Sequence, residues 1–190
     1  LILILTLSFQ SWTKADDIRD FQIEGISIGD SLLDYFSEEE IKKNLNSNYY
    51  KNQKYTSVEF GADKEFNSYN SVEINFLTKD NNYTIVSVSG VIFCSDNYSK
   101  CEDLEKIIKS DISGQFKNLQ INTYKDTHEA DKSGNSKFSH SLFSYKNGDM
   151  IIIESVNWSK QITEKNGWTD NINLSTRTNS FNQFLHIAFE

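Results

Sequence analysis

KFSHSLFSYKNGDMIIIESVNW, residues 137–158, is the stretch that decides the fold. Lys137 to Tyr145, carrying Phe138, Leu142, Phe143 and Tyr145, reads as a strand. Met150 to Trp158 is dominated by β-branched and apolar residues, which suit a buried strand. Between them stands Asn147-Gly148. Tight hairpin turns need positive φ, and Asn and Gly reach it most easily, so this pair predicts an antiparallel hairpin.

Working outward, the same signals recur. Asn171 to Thr178 reads as one more strand, and Phe181, Phe184, Leu185 and Ala188 make a helical stripe behind it. Upstream, Leu119 to Tyr124 reads as a strand and Lys125 to Asn135 as a polar loop. Cys101, Leu104, Ile107, Ile108, Ile112 and Phe116 recur at helical spacing, with Ser99 and Glu102 as a capping box. Tyr83 to Phe93 is a long apolar strand that follows the turn Lys79-Asp80-Asn81-Asn82. Val72, Ile74 and Phe76 alternate as a half-buried strand should, and Tyr55 to Phe60 is another strand. Ser37 with Glu40 forms a second capping box, opening a turn that carries Ile41 and Leu45. Ser31 to Phe36 reads as a short helix after a strand or turn at Ile23 to Ile28.

Helices thus alternate with hairpins, not with single parallel strands. That arrangement predicts an α+β fold, an antiparallel sheet with packed helices. The capping boxes at Ser37 and Ser99 and the turns at Lys79 and Lys146 suggest two helix-plus-three-strand repeats. In that reading Phe76 aligns with Phe143, Ile85 with Ile152 and Val86 with Ile153. The units would be residues 16–97 and 98–190, either as two repeats or as one continuous domain.

Composition bounds the setting. Among 190 residues, 37% are hydrophobic and 13% aromatic, enough for a core. The formal net charge is −8. A surface of that sign repels phosphate backbones and anionic membranes, and no basic stripe opposes it, so nucleic-acid binding is not expected. Abundant Lys, Asn and Ile, with no Pro, reflect an AT-rich genome. Leu1 to Phe9 reads LILILTLSF, and a small residue, Ala15, precedes the acidic Asp16-Asp17. This predicts residues 1–15 to be a signal peptide, clipped at its start. The run is shorter than the roughly 20 residues of a membrane-spanning helix. A periplasmic or secreted protein with no transmembrane segment in its mature chain is the expectation. Cys94 and Cys101 flank a strand-to-helix turn and fit a disulfide in such an oxidising compartment; two small buried thiols are the alternative.

The stretch GISIGDSLLDYFS, residues 25–37, resembles the start of a group of uncharacterised exported proteins from AT-rich marine bacteria. The loop Asp131-Lys132-Ser133-Gly134, the hairpin after it and Trp158-Ser159-Lys160 fit the same resemblance, which carries no assigned activity. Gly25 to Leu33 and the repeat pattern also resemble the β-lactamase-inhibitor-protein-like fold and related small outer-membrane assembly lipoproteins. That resemblance implies binding of other proteins over a sheet.

Four groups of residues could carry chemistry. Gly29-Asp30-Ser31-Leu32 spells the signature of the GDSL serine esterases, with Ser31 as nucleophile. The family's Asp-x-x-His and Gly-x-Asn-Asp blocks are missing, so a helix cap is the competing role. Asp126, His128, Glu129 and Asp131 gather oxygen and imidazole ligands in one loop, a candidate metal site without EF-hand spacing. His140 and His186 read as lone histidines. Trp158, Trp168 and Tyr145 could form a stacking platform for a ligand, with cross-strand packing as the alternative. No cofactor is expected. The resulting expectation is a non-enzymatic binding module for another protein or peptide, with a Ser31 esterase as the alternative and no oligomeric state implied.

Overall fold

The structure is a computed structural model that describes residues 17–46, 50, 54–61, 64, 66–94 and 98–188. The leader expected at residues 1–15 lies outside the described residues. The strands are β1 (Leu45–Asn46), β2 (Tyr55–Phe60), β3 (Ser71–Leu77), β4 (Ile85–Phe93), β5 (Gln120–Thr127), β6 (Lys137–Ser144), β7 (Met150–Asn157) and β8 (Asn171–Arg177). The helices are α1 (Glu38–Lys43), α2 (Tyr98–Gln115), α3 (Lys160–Asn166) and α4 (Asn179–Ala188), with 3₁₀ turns at Ile18–Asp20 and Leu32–Asp34. All eight strands form one antiparallel sheet in the order β1-β2-β3-β4-β8-β7-β6-β5. The α+β expectation holds, and β4 of the first sequence unit pairs with β8 of the second, so a single sheet runs through both.

The founding hairpin forms as the sequence dictates. Ser144 faces Met150 and Lys137 faces Asn157. Gly148 takes φ +88°, and the side chain of Asn179 lies where its Cβ would stand, so the position admits only glycine. On one face of the sheet, Phe143, Ile151, Ile153, Ile172, Leu174, Val58, Val72 and Ile74 meet Ile108 and Ile112 of α2 and the N-terminal turns at Leu32, Phe36 and Ile41. We call this the helix face. Each such side chain, fully buried, contributes roughly 1.5–3 kcal/mol. Gly90, in the middle of β4, lies beneath the ring of Tyr69, and a Cβ there would overlap that ring.

The opposite face is covered differently. α4 lays Phe181 and Phe184 against Tyr50, Tyr55 and Val86 at the β2–β4 end. Toward β5 this second face leaves Tyr124, Phe138 and His140 partly exposed, while Ile152 and Val156 of β7 are buried, and we call it the open face.

Cys94 closes β4 and Cys101 lies in the first turn of α2, with Cα atoms 5.7 Å apart and sulfurs at disulfide-bonding distance. Both are buried, and the link holds α2 down on the sheet.

Several local readings shift. The Ser37–Glu40 capping box is present, with both reciprocal hydrogen bonds. α2 begins at Tyr98, so Ser99 falls inside its first turn instead of capping it. The polar stretch Ser159 to Gly167 folds as α3: Ser159 accepts from the Ile162 N–H, and Gly167 ends the helix at φ +72°. β5 runs three residues into the stretch read as a loop. The repeat alignment meets a register shift between Asn75 and Phe76, which pair with Ser87 and Ile85 and leave Val86 as an extra residue. Phe76 and Phe143 both face the helices. Ile85 shares that face with Ile151, while Ile152 points to the other.

Candidate functional site

Period-two alternation and the strand register fix what the open face carries. Tyr124 of β5 stands opposite His140 of β6, which stands opposite Glu154 of β7. These side chains join in a chain of hydrogen bonds. The Tyr124 hydroxyl meets His140 Nδ1, and His140 Nε2 meets the Glu154 carboxylate. Burial pushes the Glu154 carboxyl up, but the hydrogen bond from His140 and the nearby charges of His140, Arg177 and His128 outweigh it and hold the group below its ordinary range. Burial and the Glu154 charge push the Tyr124 phenol up.

Around this row lies a continuous set of rings. Phe138 is 5.9 Å from Tyr124 and 5.3 Å from His140, centroid to centroid. His128 is 5.9 Å from Phe138 and 4.4 Å from Trp158, and Trp158 is 4.6 Å from Trp168. Phe93 ends β4 in the same register row as Phe138, linked through Asn171 and Val156. Phe93, Tyr124 and Trp168 are 48%, 46% and 40% exposed, which leaves much of each ring available for contact.

Two local devices set the rings in place. The Asp131 carboxylate accepts hydrogen bonds from the N–H and hydroxyl of Ser133, the N–H and hydroxyl of Ser136, and the Ser159 hydroxyl. Those bonds, led by the Ser133 and Ser136 hydroxyls, hold its carboxyl well below the usual carboxylate range. Asp131 thereby ties the loop that carries His128 to the start of α3. Asp170 accepts from the Trp158 N–H at 2.7 Å, which fixes Trp158 beside the segment that carries Trp168.

Trp158 and Trp168 therefore come together as a tilted pair, joined by His128. Tyr145 does not join them. It lies on the helix face at the far end of the hairpin, buried against Phe116. Nearness in sequence placed it with the tryptophans; strand alternation points it through the other side of the sheet.

Three of the four loop residues weighed as metal ligands are used otherwise. Asp131 spends both oxygens on serines and backbone, Asp126 accepts from the Thr127 N–H, and His128 Nδ1 accepts from the Ala130 N–H. Among the described residues, no group of three or more His, Cys, Asp and Glu side chains converges as a metal site.

Ser31 caps the 3₁₀ turn Leu32–Asp34. Its hydroxyl donates to the Asn82 carbonyl at 2.7 Å and accepts from the Leu33 N–H at 3.3 Å. Its neighbour Asp30 accepts from the Ser27 N–H and the Tyr35 hydroxyl. Two of the three histidines, His128 and His140, lie on the open face, and His186 lies on α4. Among the described residues, none hydrogen-bonds Ser31.

The sequence reading missed Tyr124, Phe138, His140 and Glu154. Counting back from a two-residue turn at Asn147-Gly148 would set His140 opposite Ser155; the loop that forms, Tyr145 to Asp149, is centred on Asn147 and sets it opposite Glu154, so the turn signal misses the pair by one residue. Among the described residues, no helix is long and apolar enough to cross a membrane. Comparison with protein-family models, curated proteins and solved structures finds no match to this chain.

Proposed function

We propose that this chain is an exported, non-enzymatic binding module that receives another protein or peptide on the open face of its sheet. One observation carries the reading: the continuous set of partly exposed rings, Tyr124, Phe138, His140, His128, Trp158 and Trp168, at the β5 end of the face opposite α2. Aromatic rings with a polar handle are the groups that most often anchor protein interfaces. The helix face holds the core and leaves this one free for a partner. The sheet-over-partner binding implied by the inhibitor-like resemblance matches that division. The Cys94–Cys101 pair suits a periplasmic or extracellular setting.

The test is site-specific photo-crosslinking. A benzophenone amino acid replaces Phe93, Tyr124 or Trp168 on the open face, and Ile107 or Leu33 on the helix side as controls. The protein is irradiated in the exporting cell. Discrete adducts from the three open-face positions, and none from Ile107 or Leu33, are the expected result. Adducts confined to Ile107 and Leu33 would refute the reading.

A further inference from the structure

The sheet has two edges of very different character. At one end β1 is two residues long. At the other, β5 runs for eight residues, Gln120 to Thr127, every one of them exposed. Its inner side is paired with β6 throughout, without a register break. The His128 N–H continues that pairing by donating to the Ser136 carbonyl. Counting back by twos, the backbone groups of Tyr124 and its even-numbered neighbours point toward β6. The N–H and C=O groups of Ile121, Thr123, Lys125 and Thr127 then point outward, and no described strand pairs with them.

Natural edges are usually blunted by shortness, by bulges, by Pro or by charge, above all Lys, and of these β5 carries Lys125 beside Asp126. β5 is long and regular, and the chain contains no Pro. It also carries two large exposed apolar side chains, Ile121 and Tyr124, at 52% and 46% exposure. Ile121, Thr123, Lys125 and Thr127 share the helix face; Asn122, Tyr124 and Asp126 share the open face.

We propose that β5 is completed by an extended segment of another polypeptide, added antiparallel or parallel as a ninth strand, with basic side chains on the open face and apolar ones on the helix face. This rests on the open-face reading and names the kind of partner. On the open face, an added strand places its side chains beside Tyr124 and Asp126, with Glu154 two strands further in, reached through His140. A Lys or Arg there gains an aromatic ring face and a carboxylate together. On the helix face, apolar residues cover Ile121. At the other end of β5 a cleft of about 570 Å³, lined by Tyr98, Glu102, Lys125, Thr127, Lys137 and Asn157, has room for one longer side chain. Charge selects among occupants. The chain carries a net charge of −8, so a second copy brings like charge to the same edge, whereas a basic segment brings the opposite sign. Main-chain hydrogen bonds supply affinity in this mode, and alternate side chains supply specificity.

The probe is a synthetic peptide that alternates valine with lysine, with a valine–glutamate peptide as control. Binding to the full chain is read by tryptophan fluorescence, because Trp158 and Trp168 lie on the face in question. Thr123→Pro removes one outward N–H while leaving the inner ladder intact, as Pro on the solvent side of an edge strand does. The lysine peptide should bind and the glutamate peptide should not. Thr123→Pro should weaken binding by about tenfold or more with its melting temperature kept. A double variant, Trp158→Ala with Trp168→Ala, read by calorimetry, separates the two readings. If it abolishes binding and Thr123→Pro does not, face docking stands and strand addition falls. If neither variant matters, or the lysine peptide does not bind, both fall. Equal binding of the glutamate peptide overturns the basic partner. A dimer of the free protein that Thr123→Pro dissociates overturns it in favour of a second copy.

Discussion

Two adjacent rows of the β6–β7 ladder each carry one carboxylate, and they use it in opposite ways. On the helix face, Ser139 stands opposite Ser155, and Glu105 of α2 comes down over both. Its two oxygens accept from the Ser139 hydroxyl at 2.9 Å and the Ser155 hydroxyl at 2.6 Å, with Lys109 as a salt partner. One residue along, on the open face, Glu154 stands opposite His140 and joins Tyr124 through it. Glu105 is 5% exposed, whereas the Glu154 side chain keeps about a third of its surface, at 36%. A carboxylate sealed under a helix, with each oxygen occupied, serves the fold. One left partly in solvent at the end of an aromatic row is placed to meet something else. The sheet's alternation puts these two uses a single residue apart.

The sharpest way to break the comparison is to remove Glu105. Glu105→Ala leaves the buried Ser139 hydroxyl without its acceptor and Ser155 with Tyr98 alone, and should cost about 2–4 kcal/mol of unfolding free energy in urea titration. Loss of less than about 1 kcal/mol would show that the helix-face row is not what holds α2 in place. Next in size is the covalent link beside it. Cys94→Ser with Cys101→Ser frees the end of β4 from α2 and should cost about 2–3 kcal/mol, the chain-entropy value for so short a loop. A free-thiol assay on the native protein should find none, and two reactive thiols would remove the premise.

Acid sharpens the comparison further. Burial raises the Glu105 carboxyl, but the hydrogen bonds from Lys109, Ser155 and Ser139 outweigh it and set the group below its ordinary value of 4.5. The folded state therefore binds this proton less readily than the unfolded chain. Its stabilisation is fully present above the unfolded value and is lost as pH falls through the folded one. Asp131 acts in the same sense and lies lower still. Unfolding free energy should fall as pH drops below about 4.5, and Glu105→Gln should flatten that slope. A slope unchanged in the variant would assign the acid sensitivity elsewhere. The smallest effect is expected at Ser31. Ser31→Ala removes a turn cap and should cost about 1 kcal/mol. A fluorophosphonate probe should leave Ser31 unlabelled, and specific labelling there would revive the esterase alternative.

How far this could be read from sequence follows from burial. Strands with one covered face announce themselves, as β3 does in Val72, Ile74 and Phe76. β5 is exposed on both faces, so no alternation marks its last three residues, and Lys125 to Thr127 passed for loop. α3 buries only Ile162, too little for a stripe, though Ser159 and Gly167 mark both its ends. The disulfide was legible because the strand end and the helix start bracket it. The site was half legible. The tryptophans stood out by type, while Tyr124, His140 and Glu154 come from three strands and meet only through register. Tyr145 shows the reverse error: it is close in sequence, but on the wrong side of the sheet.

The most direct test is to neutralise the two carboxylates in turn and measure each variant for urea stability and for affinity toward the alternating valine–lysine peptide. Glu105→Gln should lose about 1–3 kcal/mol of stability and keep its affinity, because one glutamine oxygen cannot serve both serines. Glu154→Gln should hold its stability to within about 0.5 kcal/mol and bind roughly tenfold more weakly. If the two variants lose stability and affinity in the same proportion, the division of labour between the faces is wrong.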